Sequence, residues 1–244
     1  SPNVFTRGTT ITNINPSLQG GAVVNYSISP NLPMGLSFNS LSGVISGTPI
    51  VISDQTSYKI IASNSGGTTS FDIQITVNDI APNTLSYASP NVFTKDITIS
   101  NLAPFILGDI DNYSISPALP LGLNFDTASG VISGTPTSIV GTGNYTVTAT
   151  NSGGSTSFGI VITVNDSAPS SLSYTSPNVF TKNIAITPLS PSVSGGVIVG
   201  YSIAPALPVG LNFDTVSGVI SGTPSVIRSS ATYTVTAINS GGST

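Results

Sequence analysis

Tyr145-Thr146-Val147-Thr148-Ala149-Thr150-Asn151-Ser152-Gly153-Gly154-Ser155-Thr156-Ser157-Phe158-Gly159-Ile160-Val161-Ile162-Thr163-Val164 consists of two alternating runs around a polar centre. In the first run Tyr145, Val147 and Ala149 share one face while three threonines take the other. In the second, Phe158, Ile160, Ile162 and Val164 alternate with Gly159, Val161 and Thr163. Period two with one apolar face is the pattern of a half-buried antiparallel strand. The Asn151-Ser152-Gly153-Gly154 centre supplies residues that tolerate the φ > 0 positions of a hairpin turn. Upstream, Leu123-Asn124-Phe125, then Asp126 to Gly130, then Val131-Ile132-Ser133-Gly134 predicts a second hairpin. No segment carries a capped 3.6-residue period, so almost no helix is expected.

The hairpin recurs. Its turn has copies at Asn64 and Asn239, and Ser1-Pro2-Asn3-Val4-Phe5-Thr6 returns at Ser89 and Ser176, steps of 88 and 87 residues. Ser42-Gly43-Val44-Ile45-Ser46-Gly47-Thr48-Pro49 returns at Ser129 and Ser217, and Tyr26 returns at Tyr113 and Tyr201. A period near 87 is about twice that of a solenoid unit and matches the roughly 100 residues of a self-sufficient immunoglobulin-like sandwich. The expected organisation is three domains: 1–80, 81–167 and 168–244. The late-strand aromatics Tyr58, Tyr145 and Tyr233 stand where sandwich domains place a tyrosine corner, and a plain core role serves them equally well.

Composition removes most chemistry. The chain has no Cys, His, Trp or Glu, which excludes disulfides, thiolate or imidazole metal sites, Ser-His and Cys-His nucleophiles and paired Glu chemistry. Serine and threonine are plentiful, but a hydroxyl needs a positioned base, so no catalytic residue is assigned and a hydrolase is not expected. The five cations Arg7, Lys59, Lys95, Lys182 and Arg228 form no cluster, which argues against nucleic acid as a partner. Arg7, Lys95 and Lys182 recur beside an early strand and read as edge protection. No Lys takes a core-phase position in all three copies, as a Lys-Asn crosslink would need. Apolar residues make up 39% of the chain, enough for packed cores, yet no apolar run approaches the ~18 residues of a membrane helix, so no membrane insertion is expected in this segment.

Tyr113 to Asp126 (Tyr-Ser-Ile-Ser-Pro-Ala-Leu-Pro-Leu-Gly-Leu-Asn-Phe-Asp), followed by Ser-Gly-Val-Ile-Ser-Gly-Thr-Pro, resembles the He_PIG-like immunoglobulin repeat family of bacterial surface proteins. That family is similar to cadherin and dystroglycan-type domains, and the resemblance covers all three copies. It implies an all-β array of three tandem seven-stranded Greek-key Ig-like or cadherin-like sandwiches, placed extracellularly at a bacterial cell surface as a spacer in long adhesins or filaments.

The cadherin comparison raises calcium. Asn78-Asp79-Ile80-Ala81-Pro82 and Asn165-Asp166-Ser167-Ala168-Pro169 look like the linker that ligates calcium between cadherin domains, which makes Asp79 and Asp166 candidates. Asp109 and Asp111 join them because the second copy carries Asp109-Ile110-Asp111-Asn112 where the others carry Gly20-Gly21 and Gly195-Gly196. Calcium wants six to eight oxygens, and the other cadherin ligands are replaced by Gly134-Thr135-Pro136 and Asn151. Asp79 and Asp166 are therefore expected to end a strand and cap a turn, and Asp109 and Asp111 to belong to a solvated loop. No other cofactor is expected.

Asp126-Thr127-Ala128, Asp166-Ser167-Ala168 and Asp214-Thr215-Val216 resemble the short acceptor used for bacterial O-glycosylation, with Thr127, Ser167 and Thr215 as the residues that would be modified. A turn preference for Asp and Thr explains the same triplets. Asn25, Asn112, Asn144 and Asn165 open N-glycosylation sequons that read as chance.

The first copy begins without the lead-in that later copies carry as Leu85-Ser86-Tyr87 and Leu172-Ser173-Tyr174, and the third stops before the strand that copy two continues as Phe158 to Val164. The expected reading is a window on a longer array whose partners are neighbouring repeats of the same giant polypeptide or filament. A shaft subunit that polymerises by strand complementation is an alternative. Others are a carbohydrate-binding adhesin module with a glycan target, and a spacer inside a secreted enzyme.

Overall fold

The computed structural model describes residues 2–244. Among them no helix occurs, as the missing 3.6 period implied. The first repeat contains β1 (Asn3–Thr6), β2 (Asn25–Ser29), β3 (Leu36–Phe38), β4 (Ile45–Gly47), β5 (Ser53–Asn64) and β6 (Gly67–Asn78). The second contains β7 (Asn83–Ser86), β8 (Asn91–Thr94), β9 (Phe105–Leu107), β10 (Asn112–Ser116), β11 (Leu123–Phe125), β12 (Ile132–Gly134), β13 (Val140–Asn151) and β14 (Gly154–Asn165). The third contains β15 (Ser170–Ser173), β16 (Ser192–Ser194), β17 (Gly200–Ala204), β18 (Leu211–Phe213), β19 (Ile220–Gly222), β20 (Thr234–Asn239) and β21 (Gly242–Ser243).

In the second repeat one layer is the four-stranded sheet β10-β13-β14-β8, with β8 lying parallel to the end of β14. The other layer is built from the pairs β7-β9 and β11-β12, and a bridge from Leu102 to Ile132 connects the segment ahead of β9 to β12. The stretch that opened the sequence reading forms the β13-β14 hairpin with Tyr145 opposite Ile160, Val147 opposite Phe158 and Asn151 opposite Gly154. Alternation becomes burial here. Val147, Ala149, Ile160, Ile162 and Val164 are fully buried while Thr146 and Thr150 are exposed. Ile132 from the other layer is also fully buried and closes the core with Leu85, Tyr87 and Tyr113. Removing ~25 cal/mol per Å² of apolar surface from water is what holds the two layers face to face.

The turn expectation needs one correction. Within Asn151-Ser152-Gly153-Gly154 only Gly154 adopts a positive φ (148°), so Gly153 is not there for its backbone freedom. A second correction concerns the tyrosines. The hydroxyls that bond a main-chain carbonyl belong to Tyr87, which donates to Gly130 O at 2.7 Å, and to Tyr174, which donates to Gly218 O. These tyrosines directly follow β7 and β15, whereas Tyr58 and Tyr145 take the plain core role.

The first repeat repeats the arrangement as sheet β1-β6-β5-β2 plus β3-β4, with Ile14 bridged to Ile45. The third has β17-β20-β21, β18-β19 and β15-β16. Asn178-Val179-Phe180-Thr181 is identical to β1 and β8 in sequence yet forms no strand, and Val179 is 94% exposed. In the other repeats this tetrapeptide pairs with Ile75–Asn78 and Ile162–Asn165. Strand formation in this tetrapeptide is thus set by its tertiary partner and not by its propensity.

Candidate functional site at the repeat junctions

The polar chemistry of the chain gathers where one repeat meets the next. After β6 the chain runs through Asp79, a residue 7% exposed, into Ile80, Ala81 and Pro82. The β13-β14 turn of the following repeat closes on this linker. The Asn151 side-chain amide donates to the carbonyls of Ile80 (2.7 Å) and Asp109 (2.8 Å), and Asn151 Oδ1 accepts the Gly153 amide at 2.8 Å. The Asp79 amide donates to Ser152 Oγ at 2.8 Å, and its carboxylate accepts the Ile80 amide at 2.7 Å. Gly153 explains itself at this point, because a Cβ there would fall 2.1 Å from the Asp79 carbonyl oxygen. The absence of a side chain lets two backbones touch.

The second junction repeats the clamp. Asn239 donates to Ser167 O at 2.7 Å, the Asp166 amide donates to Ser240 Oγ at 2.9 Å, and a Cβ on Gly241 would lie 2.1 Å from Asp166 O. Each net hydrogen bond of this kind contributes about 1 kcal/mol, and an unmade one inside the contact would cost more.

The junctions differ in how they satisfy the linker carboxylate. Gly108 and Gly195, both at positive φ, precede Asp109 and Gly196 in equivalent loops. At the first junction Arg7, just after β1, places Nη2 2.8 Å from Asp79 Oδ1 and 2.5 Å from Asp109 Oδ2. The hydrogen bond that Arg7 donates to Asp109, and then the charge of Asp79, raise the Arg7 pKa. At the second junction Asp166 Oδ1 takes the Ser167 amide and Oδ2 the Val197 amide, both at 2.9 Å. A Cβ on Gly196 would sit 2.2 Å from Asp166 Cγ, so an Asp109-like side chain could not coexist with this arrangement. Lys95, the counterpart of Arg7, binds Asp96 at 3.0 Å, and its pKa is raised by that bond first and slightly by Asp166.

Of the calcium candidates, Asp79 and Asp109 meet at one guanidinium, Asp166 is held by backbone amides, and Asp111 joins none of these contacts. Among the described residues no group of three or more acidic side chains has metal-binding spacing. Thr127 and Thr215 are exposed in the β11-β12 and β18-β19 turns, whereas Ser167 is half-buried in the second junction. Asp126 Oδ1 accepts the amides of Ser129 and Ala128, which lowers its pKa, and Asp214 is lowered in the same way by Ser217 and Val216. Sequence reading missed Asn151 and Asn239 as clamps. The available signal was an Asn-Ser-Gly-Gly turn kept three times with more glycine than its backbone uses.

A family model described as "Putative Ig domain" (He_PIG) matches residues 2–78, 74–165 and 161–244. The chain belongs to this family. Three He_PIG repeats therefore follow one another, and they form tandem immunoglobulin-like domains. Curated relatives that share He_PIG-like sequence with the chain include the "Serine-rich adhesin for platelets" of Staphylococcus aureus, 33% identical over 149 residues. The matched region is 57% of this chain and 6% of that protein. The same-named protein of S. aureus strain MRSA252 is 32% identical over 149 residues, with 11% of its length covered. The chain thus spans a small fraction of the adhesins it resembles. Among solved structures, the titin I-band fragment I67-I69 aligns over 99% of the chain and 92% of its own length, with 14% identity and a TM-score of 0.46. Drosophila N-cadherin EC1-3 aligns over 100% and 95%, with 17% identity and a TM-score of 0.43.

Proposed function

We infer that this He_PIG array is a spacer: a segment of a large bacterial cell-surface adhesin or filament that holds a distal binding region away from the cell. The observation that carries the reading is the paired clamp of Asn151 on Ile80 and Asn239 on Ser167. Each fixes an otherwise free linker against the next sandwich, which supports reach over flexibility. The 12-residue strands β5 and β13 extend about 40 Å at 3.3 Å per residue, so three repeats held end to end span roughly 120 Å. Its likeness to segments of surface adhesins supports the extracellular placement, and its partners are then neighbouring repeats. Small-angle X-ray scattering tests this: a maximum dimension near that span supports the spacer, and a compact particle overturns it.

A further inference from the structure

The two junctions differ at three positions, and the three differences belong together. Arg7 and Lys95 are hung alike: each donates its main-chain amide at 2.8 Å to the residue ahead of the linker Asp, Asn78 O in one case and Asn165 O in the other. The residues that follow them are also placed alike. The amides of Gly8 and Asp96 donate to Pro49 O and Pro136 O at 2.8 Å, and both backbones are left-handed, with φ 76° and 61°. Equivalent backbone therefore carries different chemistry. Glycine is the ordinary occupant of that conformation, and Asp is one of the few side chains that tolerate it. Asp96 uses its place to hold Lys95, at 3.0 Å. Arg7 has no acidic neighbour in sequence and reaches across the junction to Asp79 and Asp109.

The entry loop of the following repeat completes each set. Asp109 offers Arg7 a second carboxylate, and Gly196 offers Lys95 none. The φ of Gly196 is not positive, so its own backbone does not call for glycine. Asp166 does, because its Cγ would lie 2.2 Å from a Cβ at that position. With the space free, Asp166 turns onto the loop and accepts the Val197 amide at 2.9 Å. Its charge still reaches Lys95, whose pKa is raised by Asp96 first and by Asp166 last. The linker Asp thus takes the cation behind it at one junction and the loop ahead of it at the other.

We propose that the exit pole of one repeat and the entry loop of the next form a matched set that selects which He_PIG repeat can follow which. Arg-Gly followed by an acidic loop makes an ionic junction, and Lys-Asp followed by a glycine loop makes a junction closed on backbone amides. Crossed pairs are disfavoured in both directions. An acidic loop after Lys95-Asp96 would bring three carboxylates, Asp96, Asp166 and residue 196, to one ammonium and would deny Asp166 the Val197 amide. A glycine loop after Arg7-Gly8 would leave the guanidinium with one carboxylate in place of two. Among partners of one fold, like charges brought together in the wrong pairing supply discrimination that attractive contacts alone do not. The inference goes beyond the spacer reading and does not rest on it: it concerns the choice of neighbour and not reach, so the scattering result leaves it untouched.

The test moves one set onto the other junction in the full chain, which has no Cys and so accepts a pair of spin labels at cysteines introduced in repeats two and three. Gly196→Asp alone is the crossed pair. Gly196→Asp with Lys95→Arg and Asp96→Gly is the matched ionic set. The Val197 amide is expected to lose its ¹⁵N–¹H position in both variants. Distances across the second junction should broaden at any salt in the single variant. In the triple variant they should be narrow at low salt and broaden in molar salt, where charges are screened within ~3 Å. An unmoved Val197 resonance in Gly196→Asp overturns the proposal, and so does a triple variant that is as broad as the single one or that ignores salt. If position 196 does not accept Asp in a folded chain, Arg7→Lys with Gly8→Asp crosses the first junction without touching an entry loop. Broadened distances between repeats one and two are then expected, and unchanged ones overturn the proposal.

Discussion

Arg7 of the first repeat and Asp109 of the second stand 2.5 Å apart across a junction, 102 residues from one another in sequence. The guanidinium also touches Asp79 on the linker, so three successive structural units meet at one cation. Arg7 and Asp109 remain partly to largely exposed, at 36% and 72%, which keeps the energy of the contact modest.

Arg7→Ala should therefore cost less than about 1 kcal/mol in global stability. Its visible effect is on geometry. Interdomain distances across the first junction, read by spin labels in repeats one and two, should broaden, and molar salt should do the same to the parent chain. The second junction, held by backbone amides, should respond to neither.

Gly153→Val places a side chain where Asp79 O lies 2.1 Å from the Cβ position. The clamp should open while the second sandwich stays folded. Opening worth about 1.4 kcal/mol raises the open population tenfold, so limited proteolysis within Ile80–Asn83 should accelerate by about that factor.

Ile132→Ala empties a fully buried position that ties the two layers of the second repeat together. A loss of about 2–5 kcal/mol is expected for that repeat. Calorimetry should show one of the unfolding transitions move down while the others hold.

The tyrosine hydroxyls set an alkaline limit. Burial, and then the neighbouring Tyr201, push Tyr174 from its ordinary 10.0 up to about 12, and Tyr87 is raised further by burial. A raised folded value means that the stabilisation is complete below pH 10 and is lost as pH climbs through the folded value. Thermal midpoints between pH 8 and 12 should fall above pH 10, and Tyr87→Phe should flatten the fall for the second repeat. At neutral pH the same substitution leaves Gly130 O without its partner and should cost about 1–3 kcal/mol.

Calcium at about 1 mM, where extracellular modules bind it, should leave the melting of the parent chain unchanged, because Arg7 occupies the space between Asp79 and Asp109. Titration calorimetry with and without chelator checks this, and heat of binding at the first junction would contradict it.

Much of the fold was readable because burial follows a period-two rule: Tyr145, Val147 and Ala149 could be placed on the inner face before any coordinates, and Asn151–Gly154 could be placed at the turn. The junction was less readable. Asn151 acts on Ile80, 71 residues earlier, and nothing local distinguishes a clamping Asn from one that merely closes a hairpin. Arg7 and Asp109 could have been connected by noticing that the copy with an acidic loop follows the copy with Arg in place of Lys. Asn178–Thr181 shows the opposite limit: the same four residues are strand twice and coil once, because pairing is supplied by residues far away.

The parallel seating of β8 on the end of β14 has a mechanical consequence. Tension entering through one linker passes along β7 before it pulls β8 from its N-terminal end, while tension leaving through the next pulls β14 by its C-terminal end. The four residue pairs from Asn91–Ile162 to Thr94–Asn165 then slide against each other together and cannot peel one at a time. Such a patch resists shear along its strands far better than the terminal hydrogen bonds of a hairpin resist peeling, and on the spacer reading proposed above that is the direction in which load would arrive.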